Sequence, residues 1–495
     1  MATQSMASPV KKQGLEKWMK IFGIPLALVV FGLLLTMPTP LGMSFQGKAA
    51  LATFTMALIL WVTQAIPTYA SALLVLVMLT LTGGWDEGSA LGVFGYDVIW
   101  LMVSAFIITS GMEKSGFAKR LALFIVSKFG STANKALISL GVVNFLLAFV
   151  VPSTTARAAL LLPITLMICQ VYGALPGSSN FGRQLMLQEV HFNNISTSAI
   201  LTATAPQIMA VGYIKDMAKV DVTWMQWFAA GMPIAVLTMA ASFFLGKLLY
   251  KSEIDKPKTD ALPEGASQET KSLAQEYKDL GPMTLIEKKA LFIFALTVFL
   301  WCTDGYHVQM FGFKISLVMV AVLSALLFYL PYLGILNWKE TKIPWDLMIF
   351  SAGAYAGGLA LDKSGVAAFL LNKVFGSFDL TSLGTFPMFM LVIFIASFSH
   401  MVFTSKVVRT VILLPAIIGI AKQTGVSPLL LALPASLTIC DSITLPPHCK
   451  PNLIFYSTGY FSVTDQLCYG ILLLLVKWLL MGVAYFTWFR VIGLV

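Results

Sequence analysis

Long stretches of this chain run without an Asp, Glu, Lys or Arg: residues 21–47, 49–85, 136–156, 158–182, 222–246 and 315–338. A helix needs roughly 20 apolar residues to cross the hydrocarbon layer of a membrane. The pattern predicts an all-α polytopic membrane protein with spans near 21–40, 48–65, 68–84, 96–112, 184–202 with 206–217, and 222–250. A polar stretch follows, and then spans near 288–303, 315–332, 346–361, 427–440 with 451–461, and 466–490. That makes about eleven crossings by the length rule. The first apolar run is too long for a signal peptide and lacks a small-residue cleavage site, so it reads as a retained span.

Two apolar segments, 136–175 and 384–424, do not fit as single crossings. Each is long enough for two helices and carries a polar break in its middle. Irregular backbone at membrane depth survives only where protein or a water-filled cavity shields it. Both segments therefore read as re-entrant hairpins.

An internal repeat links them. WLMVSAFIITSGMEKSGFAKRLALFIVSKFG (100–130) resembles WDLMIFSAGAYAGGLALDKSGVAAFLLNKVFG (345–376) in its early Trp, its Lys-Ser-Gly and its closing Phe-Gly. STTARAALLLP (153–163) aligns with SKVVRTVILLP (405–415), and APQIMAVGY (205–213) with KPNLIFYSTGY (450–460). The matches come in the same order. Counting crossings makes the two repeats inverted, the architecture in which secondary transporters place a substrate site at the membrane midplane. The expected organisation is a cytoplasmic segment 1–20, an additional first span 21–44, a first repeat 45–250, a cytoplasmic linker 251–286, and a second, inverted repeat 287–495.

Composition changes this picture little. The net charge of +10 could suggest a nucleic-acid partner, but its lysines cluster beside the first span and in the 251–286 linker. Cytoplasmic loops attract Lys and Arg, so the excess reports topology. It places the N-terminus inside and the C-terminus outside, with no nucleic acid implied. The five cysteines show no pairing pattern and read as small hydrophobes.

The candidate chemistry sits at the breaks. Ser153, Thr154 and Thr155 open a helix, where free N–H groups and the positive dipole end suit an oxyanion. Ser and Thr are also ordinary N-caps. Arg157 and Arg409 each lie four residues past a tip serine, Ser153 and Ser405, on the same helix face. Lys406 adds a second cation to the second tip. Charge at membrane depth is costly and marks function. The alternative is a snorkelling arginine or a structural ion pair, for which Glu189 and Asp441 are the available acids. TATAPQ (202–207) and TLPPHCKPN (444–452) break two spans at prolines, which free backbone carbonyls. Thr204, Pro206, Lys450 and Pro451 join the candidate substrate site there. HFNNISTS (191–198) is polar for a span. Its Asn193, Asn194 and Thr197 suit a cavity wall and a helix–helix contact equally well. No HExxH, GxSxG or paired carboxylates point to an enzyme, and no cofactor or metal site is expected.

The tip motif, the Pro-Asn/Gln break and the repeat layout together resemble the divalent-anion/sodium symporter family, the INDY-type di- and tricarboxylate carriers, from about residue 45 to 490. The resemblance implies a homodimer in a lipid membrane, a scaffold and a moving transport domain, an elevator motion, and small dicarboxylate anions held between the two tips. The family marker at each tip is Ser-Asn-Thr, with sodium sites beside it. Here the tips read Ser153-Thr154-Thr155 and Ser405-Lys406-Val407. Hard cations want several oxygen ligands, and the second tip has exchanged oxygens for an ammonium. An empty site would carry unpaired charge through a low-dielectric barrier. The S-x-T-A-R tip also resembles the family's exchanger branch. These features predict sodium-independent exchange of C4–C5 dicarboxylates (malate, succinate, fumarate, 2-oxoglutarate) across a bacterial plasma membrane. The alternative is a sodium-coupled di- or tricarboxylate symporter.

Overall fold

The computed structural model describes residues 10–256, 273–366, 369 and 384–495. All regular structure among them is helical. Seven helices are long and apolar enough to cross a membrane: Phe45–Thr63, Glu87–Ser115, Ala133–Val150, Thr154–Tyr172, Trp224–Leu249, Lys406–Thr424 and Val463–Phe486. Several expected spans are missing from that set for a physical reason. Breaks at Ile200–Thr204 and Cys440–Cys449 divide two of them into Asn180–Ala199 with Ala205–Ala218, and Pro428–Ile439 with Lys450–Tyr456.

The chain divides into two compact units. One comprises Met1–Ile99, Pro344–Leu380 and Gly419–Gly425, and the other Trp100–Ile343, Thr381–Ile418 and Val426–Val495. In the first, Val10–Thr36 packs on Phe45–Thr63, and Trp345–Lys363 packs on Thr68–Leu81. Small residues allow that approach. A Cβ on Gly353 would lie 2.4 Å from the Ala72 carbonyl oxygen. The Trp61 indole N–H donates to Ser71 Oγ at 2.8 Å, satisfying both polar groups in an apolar interior.

In the second unit, Ala133–Val150 and Thr154–Tyr172 form two helices joined at Val151–Ser153, and Thr385–Phe398 and the Lys406–Ile418 part of Lys406–Thr424 follow the same plan around residues 399–405. Both segments therefore break where the polar residues interrupt them. The shared Lys-Ser-Gly pieces also behave alike, since Gly116 and Gly365 both end a helix at φ +75°. A side chain would strain either position.

One expectation changes. The chain is already helical from Val10, so the described part of the 1–20 segment continues into the first span. Within the 251–286 linker, Leu273–Asp279 is a helix packed on Phe117–Phe129. Arg120 anchors its exit. It pairs with Glu287 at 2.6 Å and donates to the carbonyls of Leu280, Gly281 and Pro282. Nearby, Lys114 and the Asn337 N–H hold the exposed Glu340 carboxyl below its ordinary pKa.

Candidate functional site

All eleven candidate residues fall in the second unit. The tips have matching local geometry. Ser153 Oγ accepts from Ala156 N at 3.2 Å, and Ser405 Oγ from Val408 N at 3.3 Å. Ser153 O and Ser405 O accept from the amides of Arg157 and Arg409 at 3.0 and 3.1 Å. Each serine caps its helix and points the arginine one turn inward. Ser153, Thr154, Thr155, Ser405 and Lys406 are half-buried, whereas Arg157 and Arg409 are fully buried.

The arginines differ in what surrounds them. Arg157 donates to Ser196 Oγ at 3.1 Å, Thr197 Oγ1 at 2.6 Å, Asn193 O at 3.2 Å and Asn144 O at 3.4 Å. Asn193 Nδ2 in turn donates to Thr154 O at 3.0 Å. The polar run at 191–198 is thus a helix–helix hydrogen-bonding surface that positions the first tip. Arg409 donates to Ser442 Oγ at 2.6 Å, and its Nε and Nη1 have no acceptor among the described residues.

Neither arginine forms an ion pair with Glu189 or Asp441 among the described residues. Glu189 accepts from Asn144 Nδ2 through both oxygens, at 3.1 and 3.2 Å. Asp441 pairs with Lys477 at 2.5 Å, both fully buried. Lys477 also donates to Leu437 O at 3.0 Å.

The breaks are braced in a common way. On the helix Trp224–Leu249, the Trp227 indole donates to Ser198 O at 3.0 Å, and one turn later a Cβ on Gly231 would lie 2.7 Å from that oxygen. After the second break, Gln466 Nε2 donates to Ile443 O at 3.0 Å, and a Cβ on Gly470 would lie 2.9 Å from it. A donor and a glycine four residues later let each helix press against an interrupted backbone. Thr204 is extended, caps the helix begun at Ala205 and Pro206, and lies 3.7 Å from Cys440 Sγ. Lys450 is exposed and opens the short helix in which Pro451 is buried.

Lys406 joins the two repeats. Its Nζ donates to Asn194 Oδ1 at 2.7 Å, and Asn194 Nδ2 reaches Asn452 Oδ1 at 3.4 Å. Asn452 Nδ2 satisfies the carbonyls of Ser442 and Leu445 at 2.7 and 2.9 Å. Gln207, at the aligned position of the first repeat, donates to Thr197 O at 2.7 Å. Asn452, Gln207 and Ser442 were absent from the sequence-derived set. The aligned Pro-Asn and Pro-Gln pairs were the signal for the first two. Nothing marked Ser442, because its role depends on where Arg409 folds.

The pattern of the sodium:sulfate symporter transmembrane region matches residues 16–495. A membrane protein of Cupriavidus necator is 25% identical over 95% of this chain and 93% of its own length. The sodium-dependent dicarboxylate transporter SdcS of Staphylococcus saprophyticus is 27% identical, over 91% of this chain and 88% of its own. That of Staphylococcus aureus strain USA300 is 26% identical with the same coverage. The solved structure of Neisseria gonorrhoeae MtrF shares the fold at a TM-score of 0.56 and 12% identity, covering 97% of this chain and 96% of that one. The paired capped tips, the proline breaks and a match over nearly the whole length lead to one conclusion: the chain belongs to the sodium:sulfate symporter transmembrane family, a family of integral membrane transporters and not of enzymes.

Proposed function

We propose that this protein is a secondary transporter of C4–C5 dicarboxylates, with each tip receiving one carboxylate. The observation that carries the reading is the matched pair of tips, each a serine-capped helix start with a buried arginine one turn inward. Ser153 and Ser405 each occupy one amide, and earlier amides of the same turn remain suited to an anion. Arg409 Nε and Nη1 supply donors beside the second tip, while Arg157 contributes charge from a fixed position. Thr204, Pro206, Lys450 and Pro451 shape the walls. The tips belong to re-entrant hairpins in an elevator-type homodimer of the bacterial plasma membrane, with the N-terminus inside and the C-terminus outside.

The names of the relatives favour sodium coupling over the sodium-free exchange expected from the tip sequences. Sodium coupling is therefore the leading reading, with hydroxyl oxygens of Ser153–Thr155 available at the first tip. One observation favours exchange instead. Lys406 Nζ sits on Asn194 Oδ1 at the second tip, a built-in cation where a sodium site would need oxygens.

Proteoliposomes holding the full-length protein decide between them. Uptake of labelled malate is expected to require an inward sodium gradient. Uptake that ignores sodium and requires internal malate would establish exchange. Absence of saturable uptake of malate, succinate, fumarate and 2-oxoglutarate would overturn both. Lys406→Asn sharpens the result: if the ammonium replaces a cation, sodium-free transport falls by about tenfold, since a hydrogen bond made by a charged group contributes about 1.5 kcal/mol.

A further inference from the structure

Beside the second tip lies a buried chain of titratable groups that the transport reading does not use. His400 and His448 meet edge to face, with centroids 5.0 Å apart, and are bridged by Thr444. His400 Nδ1 is 2.7 Å from Ser397 O, His400 Nε2 is 2.8 Å from Thr444 Oγ1, and Thr444 Oγ1 is 3.1 Å from His448 Nδ1. His400 and Thr444 are fully buried, and His448 is buried too, next to the exposed Pro447.

The hydrogen-bond directions follow from the acceptors. A carbonyl oxygen only accepts, so His400 Nδ1 carries a proton and its neutral ring must accept at Nε2. Thr444 Oγ1 then donates to His400, and accepts from His448 Nδ1–H. We infer that this His400–Thr444–His448 chain is a proton-binding relay, taking up one proton together with a dicarboxylate dianion. The inference rests on the dicarboxylate reading above.

The step balances. A proton arrives at His448 Nε2. The Nδ1 proton of His448 passes to Thr444 Oγ1, whose own proton passes to His400 Nε2. Thr444 keeps one hydrogen and now donates to His448 Nδ1. His448 remains neutral, and the charge resides on His400.

The surroundings supply the coupling. Lys406 and Arg409 lie on the helix that follows His400, and His448 meets its ring across the break. The nearby acid Asp441 is already paired with Lys477 from the helix Val463–Phe486. A proton added to the empty site therefore enters a net positive neighbourhood. A bound dianion reverses that sign, and linkage requires the proton to favour dianion binding equally. A hydrogen-bond chain that only braced the break would show no such reciprocity.

The test is calorimetric titration of fumarate, which stays dianionic from pH 6.5 to 8, into the full-length protein at constant sodium. Two buffers of different ionisation heat report the protons taken up. The expected wild-type result is uptake approaching about one proton per fumarate, with affinity weakening by up to about tenfold per unit of rising pH. His400→Gln and Thr444→Val are expected to bind fumarate with the uptake and pH slope lost, and Thr444→Ser to restore both. Wild-type binding without proton uptake, or unchanged uptake in His400→Gln and Thr444→Val, overturns the relay while leaving dicarboxylate transport intact. Failure of fumarate, malate, succinate and 2-oxoglutarate to bind at all overturns both.

Discussion

At the first tip, Arg157 directs its two terminal nitrogens to four acceptors on Asn144, Asn193, Ser196 and Thr197. At the second, Arg409 holds Ser442 and keeps two buried nitrogens without acceptors among the described residues. The neighbouring acids differ in the opposite sense: Glu189 rests on an asparagine, whereas Asp441 grips Lys477. Equivalent positions in two repeats have thus diverged in chemistry. The first tip fixes its cation by hydrogen bonds, and the second surrounds its cation with further charges. An anion entering such a site would find prearranged structure on one side and unspent donors on the other.

The largest expected effects come from removing the arginines. Arg409→Ala is expected to reduce dicarboxylate transport at least about 30-fold, because a buried charge contact is worth about 2–5 kcal/mol at a binding site. Its thermal unfolding in detergent should change little by comparison. Arg157→Ala is expected to abolish transport and also to destabilise the protein by about 3 kcal/mol, since it removes four buried hydrogen bonds made by a charged group. Equal stability losses in the two variants would break the contrast between a pinned and an available arginine.

Much of this was legible in the sequence, and the parts that were not share a cause. The polar breaks within 136–175 and 384–424, the tip serines with arginines four residues on, and the proline breaks are local patterns, and local patterns survive in one dimension. Asn193 and Thr197 stayed ambiguous because their partner, Arg157, reaches them only when two helices pack. Lys406–Asn194 and His400–Thr444 span 212 and 44 residues of chain, distances at which spacing carries no signal. Glu189 and Asp441 were named as acids available for a structural ion pair with the arginines. Only the fold shows that neither pairs with an arginine among the described residues.

The second test concerns Asp441 and Lys477. Breaking a buried ion pair by removing one partner costs about 3–5 kcal/mol, because the other charge is left uncompensated. Asp441→Asn and Lys477→Met are each expected to lower stability on that scale. The double substitution should recover most of the loss. Additive losses in the double variant would mean that the pair is not an isolated couple, and that Asp441 also balances Arg409 and Lys406.

The smallest expected effect is the most discriminating. Glu189 lies fully buried on the helix Asn180–Ala199, with Asn144 Nδ2 shared between its two oxygens. Asn144 Oδ1 has no partner among the described residues. Glu189→Gln keeps the shape and one acceptor oxygen, and adds an amide N–H that can donate to Asn144 Oδ1. A neutral hydrogen bond gained in the interior is worth about 1 kcal/mol. If the first tip is held by hydrogen bonds, this variant should unfold within about 1 kcal/mol of wild type and transport within about twofold of it. If Glu189 instead offsets the charge of Arg157 across Asn144, the loss should approach that of Asp441→Asn. The ratio of those two stability losses, measured on the same preparation, therefore reports directly whether the two tips hold their cations by different means.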